Sequence, residues 1–290
     1  MKDRTGRGSD VGERMYLAGM TSSDALSDVS RTALAVALAR ARESAAPDRL
    51  FDDPYAAAFL TASGMSATLD GDPGPAVLNL AMHAVVRTRF YDDALLAACA
   101  DGIHQVVLLA AGLDTRAYRL PWPSGVRVYE LDLPPVLAFK EKVLTGLDAA
   151  ASCDRTALAT DVLQDGWPGQ LVEAGFDPAL PSAWLAEGLL VYLTAEEAGQ
   201  LLSVVGKFSA PGSRLHLERG SAAGGPPPSD PALAHITSLW KGGLGTGTAE
   251  WLAGRGWQVE IHDSALLAAE YGRPHAQPSG SGFLTARREG

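Results

Sequence analysis

The chain has 290 residues, 47% hydrophobic and 20% charged, which is the composition of an ordinary globular protein with a sizeable core. Its formal net charge of −10 argues against nucleic acid as a partner, because nucleic-acid phosphates are bound by lysine and arginine. The sequence has no apolar leader and no run of about eighteen apolar residues, so we predict no membrane partner and a cytoplasmic location.

The two cysteines and six histidines give no sign of a disulfide framework or a metal centre. Cys99 and Cys153 are not part of a C-x-x-C or Cys/His cluster, so both are predicted to be reduced thiols. The histidines lack the mutual spacing of metal ligands. We therefore predict no metal.

The N-terminal third of the chain is predicted to be helical after a disordered tail. Residues 1–20 are polar and rich in Gly, Asp and Arg, which is typical of disorder. Residues 21–101 are predicted to form a helical cap. Its helices are expected over 30–44, from Asp53 onward, and over 77–100.

From residue 102 to residue 290 the sequence alternates between short apolar runs and helical patterns. This alternation predicts an α/β fold with a doubly wound parallel sheet. The expected helices between the strands cover 133–147, 195–208 and 264–271. Strands are expected at 106–110, 126–131, 155–160, 183–185, 214–218, 257–262 and 282–287.

The first strand of this region runs into a tight turn of small residues that ends near Gly112. The second strand ends in Asp132, twenty residues later. In a βαβ unit this spacing places a carboxylate beside the ribose of a bound nucleoside. The sequence therefore predicts a site for an adenosine-containing molecule.

The residues of the turn bear on which adenosine cofactor would bind. A dinucleotide fold uses G-x-G-x-x-G, but the run from Ala110 to Thr115 lacks the third glycine. Asp114 adds a negative charge there, which disfavours a pyrophosphate. A P-loop is excluded, because no Gly-Lys-Ser/Thr follows. S-adenosylmethionine carries no phosphate, so the spacing favours a methyltransferase over a dehydrogenase.

Several ordered motifs resemble the leucine carboxyl methyltransferase-like class I family, specifically its actinobacterial small-molecule branch. The resemblance covers roughly residues 28–288. The motifs are Ser30-Arg31-Thr32-Ala33, Phe51-Asp52-Asp53-Pro54-Tyr55, Arg87-Thr88-Arg89-Phe90-Tyr91, the run from Ala110 to Leu120, Glu130-Leu131-Asp132, the run from Trp184 to Tyr192, Trp251-Leu252 and Gly256-Trp257.

The resemblance implies a Rossmann-like sheet of seven strands, mostly parallel with an antiparallel last strand, and a helical N-terminal cap. It also implies S-adenosylmethionine as cofactor and a small-molecule methyl acceptor as partner. In this family an insert near 221–250 covers the substrate pocket.

The resemblance assigns cofactor-binding roles residue by residue. Arg87 is expected to pair with the methionine carboxylate of the cofactor, and Arg31 to be a second carboxylate partner. Asp132 is expected to accept hydrogen bonds from the ribose hydroxyls, and Glu187 to face the amino group. The remaining expected contacts are Ala110 and Gly112 at the turn, and Asp161 and Val162 beside the adenine.

Two departures from the family pattern affect these assignments. Ala110 stands where the family usually has glycine, so its methyl group either crowds the cofactor or is accommodated by a small shift. Val162 replaces a more usual leucine, which is a mild change. No catalytic residue is identified. Because an acceptor carboxylate needs no general base, the absence of an evident base favours a carboxyl acceptor over a hydroxyl.

Two other functions stay open. One is an NAD(P)-linked oxidoreductase with the same geometry; the other is a non-catalytic cofactor-binding module, which the alanine at 110 would support. Taken alone, Arg87 is typical of a surface arginine, Asp132 of a helix cap and Asp161 of a turn. Glu187 stands among apolar residues, where an unpaired charge is costly, so we expect it to have a partner.

Overall fold

A computed structural model describes residues 28–65, 74–219, 233–273 and 282–290. The predicted tail at 1–20 lies outside the described residues, as does the part of the predicted insert before residue 233. The side chains of residues 28–31, 219 and 235 are also outside the described part.

Three helices precede the sheet: α1 (Asp28–Ala45), α2 (Ala56–Ala62) and α3 (Pro75–Ala100). They follow the alanine- and leucine-rich segments of the sequence, as the helix propensities predict. The Asp53 carboxylate accepts hydrogen bonds from the N–H groups of Tyr55 and Ala56, both at 3.1 Å, and so begins α2. α1 and α2 pack on each other through buried apolar side chains.

The strands of the sheet are β1 (Gln105–Leu109), β2 (Arg127–Asp132), β3 (Asp154–Ala159), β4 (Ala183–Ala186), β5 (Arg214–Arg219), β6 (Trp257–Asp263) and β7 (Gly282–Arg288). These seven strands lie in the order β3-β2-β1-β4-β5-β7-β6. Strands β1 to β5 are parallel to one another, and β7 runs antiparallel between β5 and β6. The predicted seven-stranded, mostly parallel sheet with an antiparallel last strand is therefore confirmed.

Helices cover both faces of this sheet, as a doubly wound fold requires. The helices that follow α3 are α4 (Arg116–Arg119), α5 (Pro134–Gly146), α6 (Trp167–Glu173), α7 (Ala195–Lys207), α8 (Ala234–Ser238), α9 (Thr248–Ala253) and α10 (Ser264–Glu270). Buried side chains of α6, α7 and α9 pack on one face, and those of α3, α4 and α10 pack on the other.

The N-terminal helices cover one end of the sheet. Leu34 and Leu38 of α1 and Phe59 and Leu60 of α2 form one apolar cluster with residues of α5 and with Leu113, which follows β1. α1 thus reaches the turn at the carboxyl end of the first strand. Among the described residues no helix is long and apolar enough to cross a membrane.

Candidate functional site

Gly112 and Asp132, the two residues twenty positions apart in the sequence, connect the carboxyl ends of β1 and β2. The Gly112 N–H donates to the Asp132 carboxylate at 2.5 Å, and the Leu133 N–H donates to the other carboxylate oxygen at 2.6 Å. Burial raises the pKa of Asp132. Each oxygen keeps a second lone pair, so the carboxylate can accept further hydrogen bonds.

Two residues of the turn after β1 have left-handed backbone conformations, Ala110 with φ 49° and Gly112 with φ 53°. A Cβ on Gly112 would lie 3.5 Å from the Cβ of Ala33, which is an ordinary contact, so the left-handed φ and not the space is what favours glycine there. Ala110 packs against the core cluster of the sheet. The usual glycine of the family fits such a φ, and this chain places an alanine in it at some cost in strain.

Asp161 and Val162 follow β3, next to the end of β2. The Thr160 N–H donates to the Asp132 carbonyl at 2.8 Å, which ties the two strand ends together. The Asp161 carboxylate accepts from the Leu163 N–H at 2.9 Å and forms a turn. The Val162 side chain is only 8% exposed and belongs to the core. Asp161 therefore lies at the same edge as Asp132, whereas Val162 packs inward.

Arg87 on α3 bridges two acids at the ends of neighbouring strands. Its Nε donates to Glu187 Oε1 at 2.9 Å, and its Nη1 donates to Glu218 Oε1 at 2.6 Å. The second oxygen of Glu218 accepts from the Gly188 N–H at 2.6 Å. Glu187 thus has the partner expected for an acid in an apolar segment, and Arg87 is a buried arginine and not a surface residue.

Arg116 on α4 continues this set of ion pairs into the interior. Its guanidinium donates to Asp92 and to Glu187, each at 2.7 Å, and to Asp114. Arg119 donates to both oxygens of Asp92, at 2.6 and 2.7 Å. We call these connected residues the charge network; its members are Arg87, Arg116, Arg119, Asp92, Asp114, Glu187 and Glu218.

The charge network keeps three of its acids ionised despite their burial. Burial opposes the charged form of Asp114, but attraction from Arg116 outweighs it and lowers the pKa to about 2. Burial likewise opposes the charged form of Glu218, and Arg87 together with His83 lowers its pKa to about 2. The pKa of Glu187 is lowered too, because Arg116 and Arg87 outweigh its burial.

This geometry corrects one step of the sequence argument. Asp114 was expected to repel a pyrophosphate, but both of its oxygens bond to Arg116, through the backbone N–H at 2.7 Å and through the guanidinium. Its charge is compensated inside the protein. The missing third glycine, and not Asp114, is therefore the feature of this turn that disfavours a dinucleotide.

The structure brings residues into the site for which the sequence indicated no role. Glu218 contributes through β5, 131 positions from Arg87, and His83 on α3 approaches its carboxylate with Nε2 at 3.4 Å. Arg116 lies inside a recognised motif but had no assigned role. Arg31 lies on α1, and its side chain is outside the described part of the chain.

The sequence of this chain also matches a known protein family. The sequence pattern of the leucine carboxyl methyltransferase family matches residues 33–206, which is more than half of the chain. The chain belongs to the leucine carboxyl methyltransferase family. The family suggested by the sequence motifs is thus confirmed.

Two bacterial proteins resemble this chain over most of its length. A protein of Parafrankia sp. strain EAN1pec, named as a candidate S-adenosyl-L-methionine-dependent methyltransferase, is 47% identical over 90% of this chain and 87% of its own. A Saccharopolyspora erythraea protein with the same description is 44% identical, covering 92% of this chain and 98% of its own.

A solved structure supports the fold of this family member. The crystal structure of a DUF574-family protein from Streptomyces avermitilis superposes with a TM-score of 0.53 at 17% identity, covering 80% of this chain and 96% of that one. At this level of identity the likeness concerns the fold alone. It agrees with the seven-stranded sheet described above.

Proposed function

We propose that this member of the leucine carboxyl methyltransferase family is an S-adenosylmethionine-dependent O-methyltransferase that acts on a carboxylate or hydroxyl of a small secondary metabolite. The family and the names of its relatives support methyl transfer from S-adenosylmethionine. That the methyl group goes to an oxygen atom, and that the acceptor is a small molecule, are the parts of the proposal that go beyond this support.

The observation that carries the cofactor assignment is the contact between Gly112 and Asp132. The 2.5 Å hydrogen bond fixes the carboxylate at the end of β2, beside the turn that follows β1. Each carboxylate oxygen has one backbone donor and can accept a second hydrogen bond, which suits the two hydroxyls of a ribose. We assign Asp161, at the end of the next strand, to the adenine amine.

The amino-acid end of the cofactor suits the other side of the site. Arg87 uses two of its five N–H donors on Glu187 and Glu218, so donors remain for a carboxylate. Glu187 is held in its ionised form and can accept from an ammonium group. When bound, the cofactor supplies a methyl group on a sulfonium, which is intrinsically reactive. The protein has to orient the acceptor and exclude water.

The described part of the insert is fastened close to this site. The Lys241 N–H donates to the Val191 carbonyl, and the Gly243 N–H donates to the Leu193 carbonyl, both at 2.8 Å. A Cβ on Gly243 would come within 2.6 Å of the Leu190 carbonyl oxygen, so this contact requires glycine. These bonds join the insert to the loop that follows Glu187. We infer that the insert covers the acceptor.

Calorimetric titration of the whole protein tests the cofactor assignment. S-adenosylmethionine and S-adenosylhomocysteine should bind in the micromolar range, whereas NADH should not bind. Binding of NADH with no binding of either sulfur ligand would support the oxidoreductase instead. Tight binding of S-adenosylmethionine without methylation of any acceptor would support a non-catalytic module.

The acceptor oxygen can be read from the product. The acceptor set consists of aromatic acids, phenols, amines and thiols. After incubation with S-adenosylmethionine that carries tritium on its methyl group, mild alkali should release volatile methanol from a methyl ester but not from a methyl ether. A carboxyl acceptor is the expected result if the site contributes no general base. Label on nitrogen or sulfur only would contradict O-methylation.

A further inference from the structure

A cavity of about 370 Å³ lies at the end of the sheet opposite to the charge network. Its walls come from the segments just before β1 and β4, from the start of β5 and from the end of β7. β1, β4 and β5 are parallel and all begin here, whereas Glu187 and Glu218 lie at the carboxyl ends of β4 and β5. On β5, Arg214 in the cavity and Glu218 are about 13 Å apart, at about 3.3 Å per residue. We call this separate site the amino-end cavity.

Backbone hydrogen bonds fix the walls of the amino-end cavity. The Gly212 N–H donates to the Arg288 carbonyl at 3.0 Å, and the Arg214 N–H donates to the Ser182 carbonyl at 2.8 Å. Hydrogen bonds to the last turn of α3 hold the segment before β1 in the same way. Small-molecule sites are usually preformed concave surfaces of about 300–1,000 Å³. The amino-end cavity has this size and is preformed by the sheet itself.

Two arginines of the amino-end cavity are direct cross-strand partners. Arg214 on β5 is in register with Arg287 on antiparallel β7. Residues directly opposite each other place their side chains on the same face of the sheet, about 5 Å apart at Cβ, so like charges there repel each other. The Arg214 guanidinium donates to the Asp101 carboxylate at 3.1 Å. Arg287 forms no hydrogen bond or ion pair with the residues that the structure describes.

The neighbouring side chains on the sheet do not supply a second negative charge. The partner of Arg287 on β6 is Gln258, which is uncharged. His216, the next residue on the same face of β5, is neutral because burial lowers its pKa to about 3. Asp101 is the one acid among the described residues that line the cavity, and its side chain is 65% exposed. Two guanidinium groups therefore share a single, solvated carboxylate.

We propose that the amino-end cavity binds a small organic anion, and that Arg287 and Arg214 hold its phosphate or carboxylate group. A guanidinium group donates parallel hydrogen bonds to either of these groups. Ile103 and Pro181 line the same cavity and offer apolar contact to the organic part. The net charge of the chain is −10, so affinity for an anion has to come from a local site such as this one. The inference goes beyond the proposed function, because it concerns the opposite end of the sheet.

Phenyl phosphate and benzoate test this inference on the intact protein, because they carry the two anionic groups on the same ring. Benzyl alcohol is the neutral control ligand. Affinities are measured by calorimetry at one fixed ionic strength, which excludes a general effect of salt. The variants are Arg287→Gln and, as a matched control, Arg127→Gln. Arg127 is 53% exposed at the same end of the sheet but does not line the cavity.

At least one of the two anions should bind the wild type at one site per chain, with a Kd below about 1 mM, and benzyl alcohol should not bind. Arg287→Gln should weaken this binding about tenfold or more, because charge-assisted hydrogen bonds are lost. Arg127→Gln should leave it unchanged. The anion that binds more tightly identifies the group, phosphate or carboxylate, that the cavity recognises. No binding of either anion, or equal affinities of Arg287→Gln and the wild type, would overturn the proposal.

Saturation with S-adenosylhomocysteine separates this inference from the proposed function. The anion should bind the loaded protein with unchanged affinity. Competition between the two ligands would place the anion at Arg87 and would overturn the inference, while the proposed function would stand. Failure of S-adenosylhomocysteine to bind would count against the proposed function alone. Because Arg287 is exposed, Arg287→Gln should fold like the wild type, which its midpoint of thermal unfolding checks.

Discussion

Replacing Arg116 with methionine should destabilise the protein by about 3–5 kcal/mol at neutral pH, because it leaves buried carboxylates without their cation. The Arg116 side chain is 1% exposed and contacts Asp92, Asp114 and Glu187. The fall of the Asp114 pKa from 3.8 to about 2 alone corresponds to about 2 kcal/mol. Glu187 adds to this, since its pKa is also lowered.

The same substitution should reverse the dependence of stability on pH. In the wild type the contribution of Asp114 is complete above its unfolded pKa and is lost only as the pH falls through about 2. Without Arg116, we expect burial to outweigh the attraction that remains from Lys140, Arg40 and Arg119 on Asp114 and from Arg87 and Arg40 on Glu187, and to raise the pKa of both acids above their unfolded values. Their protonation then favours the folded state, so Arg116→Met should lose less stability at about pH 5 than at about pH 7.

Urea denaturation followed by tryptophan fluorescence, at both pH values, measures these differences against the wild type. Arg127→Met is the matched control, since its side chain is 53% exposed and lies 3.7 Å from Asp154, itself 70% exposed. The control should lose less than about 1 kcal/mol. A loss below about 1 kcal/mol for Arg116→Met, or a larger loss at the lower pH, would refute the reasoning.

Three more substitutions test other parts of the structure. Asp132→Ala should weaken S-adenosylhomocysteine binding, measured by calorimetry, by about 1–3 kcal/mol, because hydrogen bonds to the ligand are lost. Asp154→Ala, at the other end of the neighbouring strand, is the control and should leave this affinity unchanged. Equal affinity of Asp132→Ala and the wild type would exclude the ribose contact. Lys140→Met should lower the free energy of unfolding, measured by urea denaturation, by about 3 kcal/mol, because Lys140 and Glu130 are both fully buried and paired at 2.6 Å. An unchanged free energy of unfolding would contradict this. Ala110→Gly should slightly raise the midpoint of thermal unfolding. The substitution relieves about 1–2 kcal/mol of strain from the left-handed backbone, which exceeds the entropic cost of glycine of about 0.5–1 kcal/mol. A lower midpoint would show that loss of the methyl group's contact with the core dominates.

The architecture was predictable because parallel strands buried on both faces are continuous apolar runs. Every residue of β1 and β4 is buried, and these strands begin and end within about one residue of their expected bounds. Short helices such as α4 and α6 were not predicted, because four to seven residues do not complete a helical pattern.

The site was predictable only where its residues are close in sequence or belong to a motif. The pair of Gly112 and Asp132 follows from the length of one βαβ unit. Glu218 was missed because the alternation of Leu215, His216 and Leu217 before it is also the pattern of a strand with one exposed face. In the structure α3 covers that face, and burial lowers the pKa of His216 to about 3.

The position of β7 has a consequence for folding during synthesis. β7 pairs with β5 on one side and with β6 on the other, and β7 is the neighbour through which β6 joins the described sheet. Because β6 is translated before β7, it leaves the ribosome with no adjacent strand to accept its hydrogen bonds. The sheet therefore closes out of sequence order, and until β7 is made the edge of β5 and both edges of β6 are open to pairing with other chains.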